Sequence, residues 1–202
     1  MHEYEPETGD FPAFIAVETG EDSSLPLAIA WALPDGQMKH VLIQPDDEWL
    51  DGEMLELGDY SLDDLRSFGV SPLDVLKELE QDYYQTTLYT TGVMDDEQAL
   101  ARLFDAYNMD PFVEFAPAEG LYPELAPGDW ARERNNMLFE QGLQPFRPDN
   151  EVLVMLAIHT RLRGDGVRGE QDIQGTGPDY EIDWEEAASP PSPATAKRMP
   201  NS

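Results

Sequence analysis

The chain has no cysteine among its 202 residues, which excludes disulfides, thiolate zinc sites and thiol catalysis and leaves the redox compartment open. Lysine is nearly as scarce. It stands only at positions 39, 77 and 197, and the 12 Lys and Arg face 42 Asp and Glu, for a formal net charge of -30. A surface this acidic repels polyanions, so general phosphate binding is excluded and any nucleic-acid contact has to be local or metal-mediated. No apolar run approaches the roughly 20 residues a membrane helix needs. The first residues, His2-Glu3-Tyr4-Glu5, are acidic where a signal peptide is basic. The expectation is a soluble, cytoplasmic protein with no membrane contact. Other chemistries lack their motifs: Gly164-Asp165-Gly166 is followed by no Lys-Ser or Lys-Thr pair, no G-x-S-x-G turn occurs, and three scattered histidines make no zinc constellation.

What is present begins with a sheet. Phe14, Ile15 and Val17 form a short apolar run ending at Thr19-Gly20, which suits a buried strand with Glu18 at its end. Strand-like stretches at 25–33 and 40–43 flank Pro34-Asp35-Gly36, a hairpin signal. Residues 45–60 leave the sheet as a loop with one helical turn. Ser61 then caps a short helix with Leu62, Leu65 and Phe68 spaced three apart, stopped by Gly69. Ser71-Pro72 starts a second helix with Leu73, Leu76 and Leu79 on one face. The β-branched and aromatic run 86–91 reads as a strand. The helix after it carries Asp95, Asp96 and Glu97 in its first turn, where the dipole favours negative charge, and Leu100, Leu103, Phe104 and Tyr107 inside.

A short strand over 111–116 and a Pro- and Gly-rich loop over 117–130 come next. Residues 130–141 have the charge pattern of an exposed helix whose inner residues are Trp130, Met137 and Leu138. A closing helix spans 149–163, with Asp149 as its cap. Its apolar stripe holds Val152, Met155, Leu156 and His159, widened by Leu153, Ala157 and Leu162. Trp31, Trp49 and Tyr89 read as core or cleft walls. One domain is expected over residues 12–163, between a flexible acidic arm at 1–11 and a disordered acidic, proline-rich tail at 164–202. Within that tail Tyr180-Glu181-Ile182-Asp183-Trp184-Glu185 alternates aromatic or apolar residues with acids. It reads either as a segment that docks on a partner or as an ordinary solvated tail. The acidity itself has three readings: a host with a salty interior, a nucleic-acid mimic that occupies a basic groove on a protein partner, or a surface with no dedicated role.

Several of these residues form a larger pattern. The opening strand ending Glu18-Thr19, the hairpin sequence Ile29-Ala30-Trp31, then Ile43-Gln44-Pro45, Trp49, and the Asp96 helix with Leu88-Tyr89 before it resemble the DEDD superfamily of 3'-5' exonucleases. The resemblance covers nearly all of 12–163. It implies an α/β, ribonuclease H-like exonuclease fold, a central mixed sheet flanked by helices. It also implies two divalent cations, Mg2+ or Mn2+, about 4 Å apart, held by carboxylates and served by a histidine base. Carried over position by position, it makes Glu18, Asp96 and Glu151 the metal ligands. Two positions depart from the pattern, since Ala16 stands where the family has its first Asp and Phe146 stands where it has His. Glu151 replaces an Asp, its extra methylene moving the oxygens by about 1 Å, a displacement that can cost a hundredfold in rate.

No catalytic base is therefore assigned. His159 lies two turns beyond Glu151, about 12 Å along the axis, too far to serve. Glu21 and Asp22, just past the first strand, are the acids nearest to hand for the missing carboxylate. Each ligand also has a plain structural role open to it: a polar strand end for Glu18, a helix cap or dipole partner for Asp96, and a stabilising first-turn acid for Glu151. The resemblance implies a divergent 3'-5' exonuclease-like protein with weak or lost nuclease activity, its cleft retained as a binding or scaffolding surface. The alternatives are an active metal-dependent exonuclease on single-stranded DNA or RNA ends, and an acidic nucleic-acid mimic that blocks a basic partner.

Overall fold

Gly36 turns at φ 80°, the left-handed conformation that the Asp-Gly pair signalled, and the Gly36 N–H closes the turn on the Leu33 carbonyl at 2.9 Å. Around it the computed structural model, which describes residues 11–20, 25–50 and 57–164, builds an antiparallel sheet. Its strands are β1 (Ile15–Thr19), β2 (Pro26–Ala32) and β3 (Met38–Leu42), in that order. Two more strands, β4 (Thr87–Thr90) and β5 (Glu114–Pro117), pair in parallel. Among the described residues there are five α-helices: α1 (Leu62–Phe68), α2 (Pro72–Tyr83), α3 (Asp96–Ala106), α4 (Asp129–Gln141) and α5 (Pro148–Gly164). The described residues all belong to the unit Met1–Gly169; a second unit, Glu170–Ser202, contains none of them.

The expected central mixed sheet is instead two hydrogen-bonded sheets. They meet at one parallel bridge between Phe14 and Tyr89, where the Tyr89 N–H donates to the Ala13 carbonyl at 2.9 Å. The cause lies three residues further on, at Val17. The Ala32 N–H donates to the Phe14 carbonyl, so residues 14, 16 and 18 present their backbone groups to β2 and the Val17 amide faces the other way, towards β4. That amide donates to Asp96 Oδ1 at 2.7 Å. A side chain from the tip of α3 takes the rung that β4 would have supplied, and the strands part.

Strand alternation assigns the two cores. Ile15, Val17, Ile29 and Trp31 pack with Leu76, Leu79, Leu100 and Leu103 of α2 and α3. On the opposite face Phe14, Ala16, Ala30 and Ala32 meet Val152, Met155 and Ile158 of α5 and Trp130 and Met137 of α4. Three alanines there leave room for α5 to lie close to the strands. Each large aliphatic side chain so buried contributes roughly 1.5–3 kcal/mol.

Three sequence expectations change. Phe68 is 73% exposed while Leu65 is fully buried, because positions three apart in a helix drift by about 60° each and a seven-residue helix cannot keep all of 62, 65 and 68 inward. Leu153 is 39% exposed, being about 100° round the helix from Val152 and from Val154. Asp149 does not cap α5. Pro148 takes the first helical position, as a residue with preset φ and no N–H does, and the Glu151 N–H donates to the Arg147 carbonyl at 2.9 Å. The acidic arm up to residue 10, Glu21 and Asp22, residues 51–56, and the tail from 165 with its Tyr180–Glu185 segment lie outside the described residues. No described helix is long and apolar enough to cross a membrane.

Candidate functional site, a cleft of unequal carboxylates

Glu18 reaches the end of β1 on the face that α5 covers, two residues past Ala16. Tyr60 donates its hydroxyl to Glu18 Oε2 at 2.8 Å, and Arg147 Nη1 stands 3.9 Å from Oε1. Arg147 also reaches Asp59 at 3.5 Å, and its guanidinium lies 5.1 Å from the centre of the Tyr60 ring. Burial raises the Glu18 pKa, the Tyr60 hydrogen bond and the Arg147 charge oppose that, and Asp59 and Asp149 add to it. Burial and Glu18 together hold the Tyr60 phenol in its protonated, donating form.

Asp96 begins α3 and is 1% exposed. Its Oδ1 is spent on the Val17 amide, while its Oδ2 is buried with no protein partner. Burial, followed by the charges of Glu151 and Asp95, pushes its carboxyl up to about 7 in spite of the Val17 hydrogen bond. Asp149, in the first turn of α5, has a second buried and unpartnered oxygen, Oδ1.

Glu151 is 0% exposed and has a partner of its own. Arg134 of α4 grips it with two nitrogens, Nη2 on Oε1 and Nε on Oε2, the latter at 2.7 Å. The Phe146 amide adds a third donor to Oε1 at 2.8 Å. Phe146 itself sits at φ 64°, a region costly for a residue with a side chain. The Glu151 hydrogen bond holds it there, with its ring 5.6 Å from the Arg134 guanidinium.

The three carboxylates named from sequence are each held by a different partner: Glu18 by Tyr60 and Arg147, Asp96 by the β1 backbone, Glu151 by Arg134. Ala16 is fully buried among the apolar residues of the α5 contact. Among the described residues no three His, Asp or Glu side chains converge as a metal-holding group. His159 serves elsewhere, its Nδ1 2.9 Å from the Tyr122 hydroxyl and its ring against Phe11 and Phe14. Arg134 escaped the sequence reading, and Asp149 entered it only as a helix cap. A signal for Arg134 existed, because Trp130, Arg134, Met137 and Leu138 fall at the i, i+4, i+7 and i+8 positions of one helical face, which puts an arginine in the middle of an inward stripe.

No protein-family model and no curated protein sequence matches the chain. Solved structures do. The chain is similar to one in a structure of the yeast NOT1 MIF4G domain co-crystallised with CAF1, at 13% identity and a TM-score of 0.51, over 77% of this chain and 79% of that one. It is also similar to the exonuclease domain of Mopeia virus, determined partially complexed with manganese, at 18% identity and a TM-score of 0.43, over 77% of this chain and 78% of that one. At 13% identity the first likeness is one of fold alone.

Proposed function

We propose that this chain is a divergent 3'-5' exonuclease-like protein, built on a ribonuclease H-like fold, whose cleft has lost phosphodiester hydrolysis and is kept as a binding or scaffolding surface. Support for the fold comes from the strand order, β3-β2-β1 with β4 and β5 set alongside through the Phe14–Tyr89 bridge. The observation that carries the loss of activity is Arg134. Both oxygens of Glu151 are engaged by its guanidinium, so an internal cation sits on the carboxylate that the family resemblance would give to a metal. A pair of Mg2+ or Mn2+ ions needs several oxygen ligands around each ion. With Ala16 contributing a methyl group and Glu151 already neutralised, the residues present do not fit such a pair.

The test is release of mononucleotides from 3'-labelled single-stranded DNA and RNA in magnesium or manganese. The expected result is no release above that of the Glu18→Ala and Asp96→Ala variants. Metal-dependent release that either substitution removes would establish the second reading, an active exonuclease with an unusual ligand set. That reading has one specific observation in its favour: Asp96 Oδ2 and Asp149 Oδ1 are buried carboxylate oxygens without a protein partner, and buried polar atoms are rarely left so.

A further inference from the structure

A cavity of about 540 Å³ opens at the carboxyl-terminal ends of β4 and β5, beside the first turn of α3. Crevices in this position are where open α/β sheets take their ligands. Its apolar lining includes Met94, Ala101, Phe115 and Pro117, and its wall contains three consecutive carboxylates, Asp95, Asp96 and Glu97, with no Lys, Arg or His among its residues. Asp95 and Glu97 are exposed at the rim. Behind them Asp96 is 1% exposed with one oxygen unpartnered, so the wall holds a buried carboxyl oxygen that the protein does not satisfy.

The cavity is continuous with a strand edge. β5 pairs only with β4 among the described residues, and the Glu114 N–H donates inward to the Thr86 carbonyl at 3.2 Å. In a parallel ladder the next residue turns its backbone groups the other way, so the Phe115 N–H and C=O face the open edge. Extended peptides recognise such an edge by adding a strand to it.

We propose that this cavity docks an extended, arginine-bearing segment of a partner protein, its backbone continuing the sheet along β5 and its guanidinium entering between Asp95 and Glu97. Charge complementarity selects the occupant: carboxylates repel the phosphates of a nucleic acid, while a guanidinium offers several donors to them and a flat face to the Phe115 ring. The proposal deepens the reading of the cleft as a binding surface and rests on it.

The test uses the full chain and a fluorescein-labelled octapeptide of alternating Arg and Val, followed by anisotropy at about 0.15 M salt, where exposed charges are screened beyond ~8 Å. Wild-type protein binds; Asp95→Asn with Glu97→Gln weakens binding at least about tenfold, and so does Ala101→Trp, which fills the cavity without changing charge. A remote pair of exposed acids, Asp63→Asn with Asp110→Asn, changes affinity less than about twofold. Methylating the peptide's backbone nitrogens removes binding, as strand addition requires. The proposal is overturned if the peptide does not bind, if the remote pair weakens binding as much as the rim pair, or if a single-stranded oligonucleotide displaces the peptide from the cavity. Nuclease release by the wild-type chain would sink the reading of an inactive cleft and leave these binding curves to decide the cavity separately.

Discussion

Asp96 and Glu151 are both shut away from solvent, 1% and 0% exposed, and they lie near enough for the charge of one to raise the pKa of the other. Yet they are opposite kinds of acid. Glu151 faces a bidentate guanidinium and a backbone amide, the arrangement that makes a buried negative charge tolerable. Asp96 has one amide and no cation, so its carboxyl moves up to about 7. Burial is common to both; the difference is the partner. Glu151 has an internal cation across both of its oxygens, and Asp96 still has an oxygen to spare.

Removing the cation breaks the comparison most sharply. Arg134→Met leaves Glu151 as an uncompensated buried charge and is expected to cost about 3–5 kcal/mol of stability, read by urea denaturation. The double variant Arg134→Met with Glu151→Leu is expected to recover most of it. A double variant no more stable than the single one would show that the pair does not act by charge compensation.

The Asp96 end is tested by pH. Its folded pKa, about 7, lies above the unfolded value of 3.8, so its stabilising contribution is complete below about pH 4 and is lost as pH rises through 7. Over that window the loss approaches about 4 kcal/mol at ~1.4 kcal/mol per unit. Thermal melts from pH 4 to 8 should show a steeper decline for the wild type than for Asp96→Asn, whose side chain cannot ionise. Parallel curves would place the burden on other groups. The smallest effect belongs to Glu18, half-way between the two extremes. Tyr60→Phe deletes one hydrogen bond, costs ~0.5–1.5 kcal/mol, and raises the Glu18 pKa further because the opposing donor is gone; an NMR titration of the Glu18 carboxyl reads the direction.

Local signals were legible wherever a residue type settles a local question. Ser61 and Ser71 accept the amides of Asp64 and Asp74 as caps, Gly36 turns the hairpin, and the alternation of Ile15 and Val17 against Ala16 divides the two cores. Proline overruled Asp149 at the start of α5 for an equally local reason, one that the sequence Arg147-Pro148-Asp149 already contained. Glu18, Asp96 and Glu151 were named through the family resemblance, and their places at the end of β1 and in the first turns of α3 and α5 follow from local signals.

What those carboxylates are attached to was another matter. Val17 and Asp96 are 79 residues apart in the chain, Glu18 and Tyr60 are 42, and Arg134 and Glu151 are 17, and no periodicity within a single helix or strand couples such positions. Composition, hydrophobic period and turn chemistry determined the elements and the faces they bury, since those depend on neighbours along the chain. Only the tertiary structure decided that Asp96 splits the sheet and that Arg134 rather than solvent meets Glu151, because a buried charge is governed by whatever the fold brings within hydrogen-bond distance of it.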